Sequence, residues 1–214
     1  MSEVDLVNWA NDEVKNAMFV DRLKGEAYGL RAMFSFYMLQ AHAGWTADGR
    51  LLGVPIVETV EDETTDFNYP RNTFDECIQA IYDDVAMAED LLPLDYENIS
   101  SDNEIPSKYL SQGVNVSLYN DVFGENFRTR MSGRIAKAFR AKAALLAASP
   151  AFAAGSSISS WMDAADYNGE LLDLIGGVSG LDADGNTWYK NGTEIDNLGA
   201  GENPQEMLWR NGKE

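Results

Sequence analysis

Thr73-Phe74-Asp75-Glu76-Cys77-Ile78-Gln79-Ala80-Ile81-Tyr82-Asp83-Asp84-Val85-Ala86-Met87-Ala88-Glu89-Asp90-Leu91-Leu92-Pro93 reads as one helix with both ends marked. Thr73 and Glu76 form a capping box: the Thr73 hydroxyl accepts from the Glu76 amide, and the Glu76 carboxylate reaches back to the Thr73 amide. Phe74, Ile78, Ile81, Val85, Ala88 and Leu92 then follow in steps of four and three, which makes one apolar stripe. Asp75, Asp83, Asp84, Glu89 and Asp90 fall mostly on the other side and read as a solvated face. Pro93 ends the element. An amphipathic helix needs partners, so the flanking sequence is expected to supply more helices.

It supplies three. Upstream, Ala27, Leu30, Phe34, Tyr37, Met38 and Ala41 recur at helical spacing, which predicts a helix over about 14–43 that stops at Gly44. Gly25 and Gly29 weaken its middle by about 1 kcal/mol each relative to Ala, so a close approach or a bend is expected there. Downstream, about 132–148 is an alanine-rich helix that stops at Ser149-Pro150. Its small side chains cover most of its circumference, which calls for neighbours on several sides. Arg134, Lys137, Arg140 and Lys142 lie along it. A fourth helix over about 160–175 starts at Ser160, with Asp163 in the capping-box position, and ends before Gly176-Gly177. Phe34, Phe36, Tyr37 and Phe139 are assigned to the core.

The connections are long. Residues 44–72 include the apolar run Leu51-Leu52-Gly53-Val54-Pro55-Ile56-Val57, in which Pro55 excludes a central strand. Residues 93–131 show no sustained period and carry Tyr96, Tyr109 and Tyr119. The stretch is either a ligand-facing excursion or a holder of short helices. The predicted fold class is therefore all-α: a single helical domain over 1–214, made of helix pairs with long irregular insertions. Trp209 and the alanine-rich helix are expected to need more partners than four helices offer, leaving apolar surface exposed.

Composition excludes several functions. With 45% hydrophobic and 11% aromatic residues the chain is globular, not disordered. Its 35 acidic residues against 16 basic ones give a net charge of −19, which repels phosphate backbones and anionic membrane surfaces; a nucleic-acid partner is excluded. A neutral ligand is indifferent to that charge. No run approaches the roughly 18 apolar residues of a membrane span. The start, Met1-Ser2-Glu3-Val4-Asp5, has no basic or apolar leader. The chain is thus expected either to be cytoplasmic or to begin downstream of a targeting segment. Cys77 is the one cysteine and reads as a small buried residue.

Several segments, taken in order, resemble one family. Glu26-Ala27-Tyr28-Gly29-Leu30-Arg31-Ala32 followed by Phe34, Phe36 and Tyr37 is similar to the first helix of SusD/RagB proteins. Gly53-Val54-Pro55-Ile56-Val57 resembles the segment after it, and Arg71-Asn72-Thr73-Phe74-Asp75-Glu76 through Pro93 the next helix. Gly133-Arg134-Ile135-Ala136-Lys137-Ala138 through Ala148-Ser149-Pro150-Ala151-Phe152 resembles the third. Trp161-Met162-Asp163-Ala164-Ala165 and Asn203-Pro204-Gln205-Glu206 resemble later segments. The likeness covers about residues 20–210. It implies tetratricopeptide-like helix pairs, glycan or nutrient capture at the cell surface, a SusC-like TonB-dependent transporter as partner, and an outer-membrane location through a lipid anchor. It also implies that this chain is a piece of a longer protein, without the lipid-anchor cysteine and the second half.

The residues carry little catalytic chemistry. His42 is the one histidine and sits at a helix end, where it serves terminal carbonyls and the dipole more readily than a nucleophile. Acid pairs are expected by chance among so many carboxylates, and spacing on one helix does not hold one of them protonated. No zinc set, phosphate loop or dinucleotide fingerprint appears, so the expectation is a binding protein and not an enzyme. Leu181-Asp182-Ala183-Asp184-Gly185-Asn186-Thr187-Trp188 starts like a calcium loop, but the glycine comes early and Glu194 comes one place late; an acidic turn is favoured and no cofactor is expected.

Sugar recognition needs flat aromatic surface for the ring and polar groups for its hydroxyls. Loop aromatics beside polar residues are therefore the candidates: Trp45 with Asp48 and Arg50, Tyr69 with Asn68 and Arg71, and Trp188 and Tyr189 with Asn186 and Asn191. The expected ligand is an oligosaccharide or a peptide-like nutrient. The competing expectation is a helical-repeat scaffold that binds another protein and no small molecule.

Overall fold

The computed structural model describes residues 2–57, 59–184, 198 and 204–209. The four helices fall where the sequence places them: α1 is Glu13–His42, α2 Phe74–Leu91, α5 Gly133–Ala148 and α6 Trp161–Leu174. Between α1 and α2 lies a two-stranded hairpin, β1 (Gly44–Trp45) and β2 (Leu51–Leu52). Between α2 and α5 lie α3 (Ser107–Leu110) and α4 (Val116–Phe123). The hairpin is the one sheet among the described residues, so the fold is all-α.

Side-chain caps start each long helix. The Asp12 carboxylate accepts from the Lys15 amide, and Ser132 accepts from the Ile135 amide. Both expected capping boxes form, Thr73 with Glu76 and Ser160 with Asp163.

The pairing directions follow from named contacts. Gly25 of α1 faces Leu91 and Leu92, Gly29 faces Ala88, and Arg31 pairs with Asp84. Numbers rise on α1 as they fall on α2, so the two are antiparallel. The Gly133 amide donates to the Pro93 carbonyl at 2.9 Å, Lys137 and Arg140 meet Glu89, and Phe152 stacks on Phe74. Hence α5 runs antiparallel to α2. Arg134 donates to the Leu174 carbonyl, Lys137 and Arg140 reach Glu170, and Ala144 and Ala148 pack on Ala164. So α6 runs antiparallel to α5. Finally, α1 and α5 touch in parallel, Gly29 against Met131 and Phe36 and Tyr37 against Phe139. Two antiparallel pairs stacked with their first helices side by side is a tetratricopeptide-like arrangement.

The glycines of α1 let the helices approach. A Cβ on Gly25 would lie 2.6 Å from Leu92 Cγ and 2.9 Å from Leu91 Cβ; one on Gly29 would lie 2.5 Å from Met131 Cγ. Met18, Ala32, Phe36, Leu39, Ile78, Ile81, Val85 and Ala88 fill the seam.

Several expectations need correction. Asp84 is buried, not solvated, because it receives the Arg31 fork. Glu89 belongs to a four-charge cluster with Lys137, Arg140 and Glu170 that joins three helices. The alanine-rich helix finds its partners within the chain, in α1, α2 and α6. Phe36 and Phe139 are core, but Phe34 and Tyr37 are exposed with Met38, at 58%, 47% and 47%. The expected apolar surface is therefore present, on α1. Trp209 donates its indole N–H to the Thr129 carbonyl.

The excursion 93–131 does hold short helices, and its tyrosines face inward. Tyr96, Tyr109 and Tyr119 are buried with Val122 and Phe123 over the first half of α1. Buried charges tie the two together. Arg22 donates to the Val122 carbonyl at 2.9 Å, and its guanidinium lies 3.9 Å from the Phe127 ring centre. Buried Glu26 accepts from Arg130 at 2.7–2.9 Å and from the Tyr96 hydroxyl at 3.3 Å. The Tyr109 hydroxyl donates to Asp21 at 2.9 Å.

Two outcomes follow. Gly25→Ala gains about 1 kcal/mol of helix propensity but must displace a Cβ fixed to the α2 backbone, which costs about 1–3 kcal/mol; net destabilisation in urea is expected. Burial also raises the three tyrosines, Tyr119 to about 12 and Tyr96 and Tyr109 further. Their folded pKa exceeds the unfolded value of about 10, so the stability they contribute is full below that pH and is lost as pH climbs toward their folded values. In an alkaline titration followed by tyrosinate absorbance, these three phenols should ionise only with unfolding.

Candidate functional site

The antiparallel α1–α2 pair sets the C-terminus of α1 beside the N-terminus of α2, and α5 brings its own C-terminus to the same end. The hairpin between α1 and α2 is built there. Trp45 pairs with Leu51 in register, and Gly44 with Leu52. The turn closes through the Thr46 amide on the Arg50 carbonyl at 2.9 Å and the Gly49 amide on the Thr46 carbonyl at 3.0 Å. Gly49 has φ of 80°, which a side chain would resist. Within the turn, Asp48 accepts from the Thr46 hydroxyl and from Arg50 Nε, the latter at 2.7 Å. These contacts, Thr46 first and Arg50 second, hold its carboxyl below the usual range.

Arg71 holds the hairpin to the helix pair. Its Nε donates to the Gly53 carbonyl at 2.7 Å, and its Nη2 donates to the His42 and Leu52 carbonyls at 2.8 and 3.0 Å. One guanidinium thus binds the end of α1, the end of β2 and the residue after it. Asn72 adds to this: its amide donates to the Val54 carbonyl, its side-chain oxygen accepts from the Ile56 amide, and its carbonyl accepts from the Gly53 amide.

The segment after α5 closes the other side. The Trp45 indole N–H donates to the Ala151 carbonyl at 3.0 Å. Asp75, in the first turn of α2, accepts from the Ser156 hydroxyl and from the Ser157 amide and hydroxyl. Phe152 stacks on Phe74 with ring centres 4.7 Å apart. Between these parts lies a cleft of about 480 Å³, lined by Arg50, Leu51, Leu52, Pro70, residues 71–76 and Gly155. The lining combines the apolar Leu51, Leu52, Pro70 and Phe74 with two guanidiniums, two carboxylates and an amide. Trp45 borders it through Gly155 and remains 49% exposed.

The structure therefore brings Arg50 and Arg71 into one cleft and sets Trp45 and Asp48 beside it. Tyr69, next to Pro70, is not itself among the lining residues: it is half-buried, and burial together with the neighbouring Glu61 carboxylate pushes its phenol up. Asn68 bonds Asp66 within a turn. Trp188, Tyr189, Asn186, Asn191 and Glu194 lie outside the described residues. Of the calcium-like stretch, Asp182 accepts from the Asp184 amide, as a capped turn does. Among the described residues no group of three or more His, Cys, Asp or Glu could hold a metal ion. Cys77 is buried with its thiol bonded to the Val54 carbonyl, and burial raises its pKa, which is the reverse of an activated nucleophile. Sequence reasoning missed Asp75, Asn72 and Gly155. Gly155-Ser156-Ser157 after Pro150 was a visible turn, but nothing local ties a turn to a hairpin some 105 residues upstream.

Arg71→Ala should cost about 1–2 kcal/mol in urea unfolding. Faster amide exchange is expected at Thr46 and Gly53. Arg71→Lys recovers only part, since an ammonium lacks the fork that meets three carbonyls.

Comparison with known proteins bears on the same residues. No curated protein matches the chain. A solved SusD-like protein from Bacteroides fragilis NCTC 9343 aligns with a TM-score of 0.40 and 23% identity, covering 63% of this chain and 18% of that one. The chain thus matches less than a fifth of that protein's length. Residues 3–108, which hold α1, the hairpin and α2, match a family model described as SusD-like, "Starch-binding associating with outer membrane". The similarity to that family lies in the segment that builds the hairpin and the helix pair flanking it.

Proposed function

We propose that this chain is the helical frame and part of the binding surface of an outer-membrane protein that captures a neutral oligosaccharide without transforming it. The observation that carries this reading is the fixed, half-exposed Trp45 beside a cleft lined by two guanidiniums and two carboxylates. An aromatic held in place takes the apolar side of a sugar ring at little entropic cost, and paired polar groups take hydroxyls. The cleft's own charges balance, Arg50 and Arg71 against Asp75 and Glu76, so it asks for no ionic ligand. The family description supports a starch-like glycan. Hand-off to a SusC-like TonB-dependent transporter and a lipid anchor in the full-length protein belong to the same reading. A peptide-like nutrient would use the same polar groups with the indole as an apolar contact.

A second reading rests on Phe34, Tyr37 and Met38 of α1, one helical stripe that stays about half exposed although Tyr37 touches Phe139 along one edge. Such a stripe suits a protein ligand, as in a helical-repeat scaffold.

Isothermal titration with a panel of linear and branched oligosaccharides separates the two. The first reading expects weak to moderate binding, with Trp45→Ala lowering affinity at least about tenfold and Trp9→Ala leaving it in place. Heat from no sugar, or equal loss in both variants, refutes it.

A further inference from the structure

Gly155 has an unusual neighbour. A Cβ built on it would lie 2.4 Å from Cη2 and 3.0 Å from Cζ2 of Trp45, and 3.2 Å from Leu51 Cβ. The indole edge that bears Nε1, Cζ2 and Cη2 is thus turned into the segment after α5. It is held there by one hydrogen bond, to the Ala151 carbonyl, and by one close approach, to Gly155. The glycine's backbone does not explain its identity: φ is positive at Gly49, Gly113, Gly176 and Gly177, not here. Gly155 is itself exposed, so no core packing requires it either. What an added carbon would meet is the ring and the strand beneath it.

We infer that Gly155 is the positioning residue for Trp45: the missing side chain is a seat for the indole edge, and it sets where the ring stands beside the cleft. The inference rests on the glycan reading for its consequence in binding, but not for the seat itself. The segment carrying the seat is anchored independently of the ring, by Ser156 and Ser157 on Asp75 and by Phe152 on Phe74. A carbon at Gly155 therefore cannot be relieved by moving the segment without breaking those contacts. The ring is the freer partner, being half in solvent. It has to rotate off its seat, lengthen the bond to Ala151 and change the surface it offers.

The test uses the full chain labelled with fluorotryptophan, the Trp45 signal among the five tryptophans being assigned by its loss in Trp45→Phe. In Gly155→Ala the Trp45 fluorine resonance is expected to move while the other four stay and the melting temperature is nearly unchanged. Gly155→Ser should move it further. With maltoheptaose as probe, Gly155→Ala should weaken binding about two- to tenfold, the cost of an off-rotamer side chain. The same change made in Trp45→Phe should then have no further effect, because the displaced edge is gone. A Trp45 resonance that stays in place in Gly155→Ala overturns the inference, as does an equal loss of affinity in the Trp45→Phe background. Should the wild type bind no maltoheptaose or other oligosaccharide, the glycan reading fails, and the fluorine signal alone still decides the seat.

Discussion

The antiparallel contact of α1 with α2 is the constraint on which the rest depends. It is close because Gly25 and Gly29 present no side chain where Leu91, Leu92 and Met131 lie. A helix pair this close fixes its own register, since a slip by one residue would set a side chain against Leu91 Cβ and the Leu92 side chain. Register in turn decides which ends meet. The C-terminus of α1, with its unpaired carbonyls, lies beside the N-terminus of α2, and Arg71 arrives just before α2 to take up the His42 carbonyl. Because α5 runs antiparallel to α2, Phe152, Ser156 and Ser157 reach the same end. Three segments distant in sequence form one cleft because helix directions alternate.

Polar burial holds this frame together and specifies it. Arg22, Glu26 and Asp84 are buried, and each has an ionic partner. Taking such groups out of water is costly, and their pairing roughly offsets that cost without adding much. What the pairs contribute is discrimination: Glu26 accepts Arg130 and Tyr96 only when the excursion 93–131 lies on α1, and Glu89 meets Arg140 only when α5 lies on α2. Arg22 Nε and Arg140 Nε lack hydrogen bonds and are held by ion pairs and ring contacts instead. Loss of one partner would leave a charge in the core, so misdocked arrangements carry a penalty that apolar seams do not impose.

The helices were legible because their signals are local. Thr73 with Glu76 and Ser160 with Asp163 mark starts within four residues, and Pro93 and Pro150 mark stops the same way. The family likeness was legible for the same reason, as runs such as Gly53-Val54-Pro55 are contiguous. What was not legible depends on pairs far apart in the chain. Asp84 looks solvated on its own helix and is buried only because Arg31 stands opposite. Tyr109 looks like a loop aromatic and is interior because α3 and α4, each too short to show a period, fold over α1. Of the candidate site, Trp45, Asp48 and Arg50 were found together because one short hairpin holds them. Arg71 was found for a different role, since it satisfies backbone carbonyls. Gly155 was invisible, because its meaning lies in a ring some 110 residues away.

The charge of the chain and the chemistry of the cleft point the same way. At −19 the molecule carries a net negative field, and a carboxylate-bearing ligand approaches against it. Within the cleft the two guanidiniums are already engaged: Arg71 is bound to three carbonyls and Arg50 to Asp48. Arg50 thus has a carboxylate partner, and Arg71 spends its donors on backbone carbonyls. Glu76 and Asp75 are likewise engaged, by the Thr73 cap and by Ser156 and Ser157. The glycan proposal suits such groups, because a hydroxyl adds to an engaged carboxylate or guanidinium where an ion would have to replace its partner. The rigidity of the hairpin then matters more than the strength of any one contact, since weak hydroxyl bonds contribute only when the groups that make them are already in place.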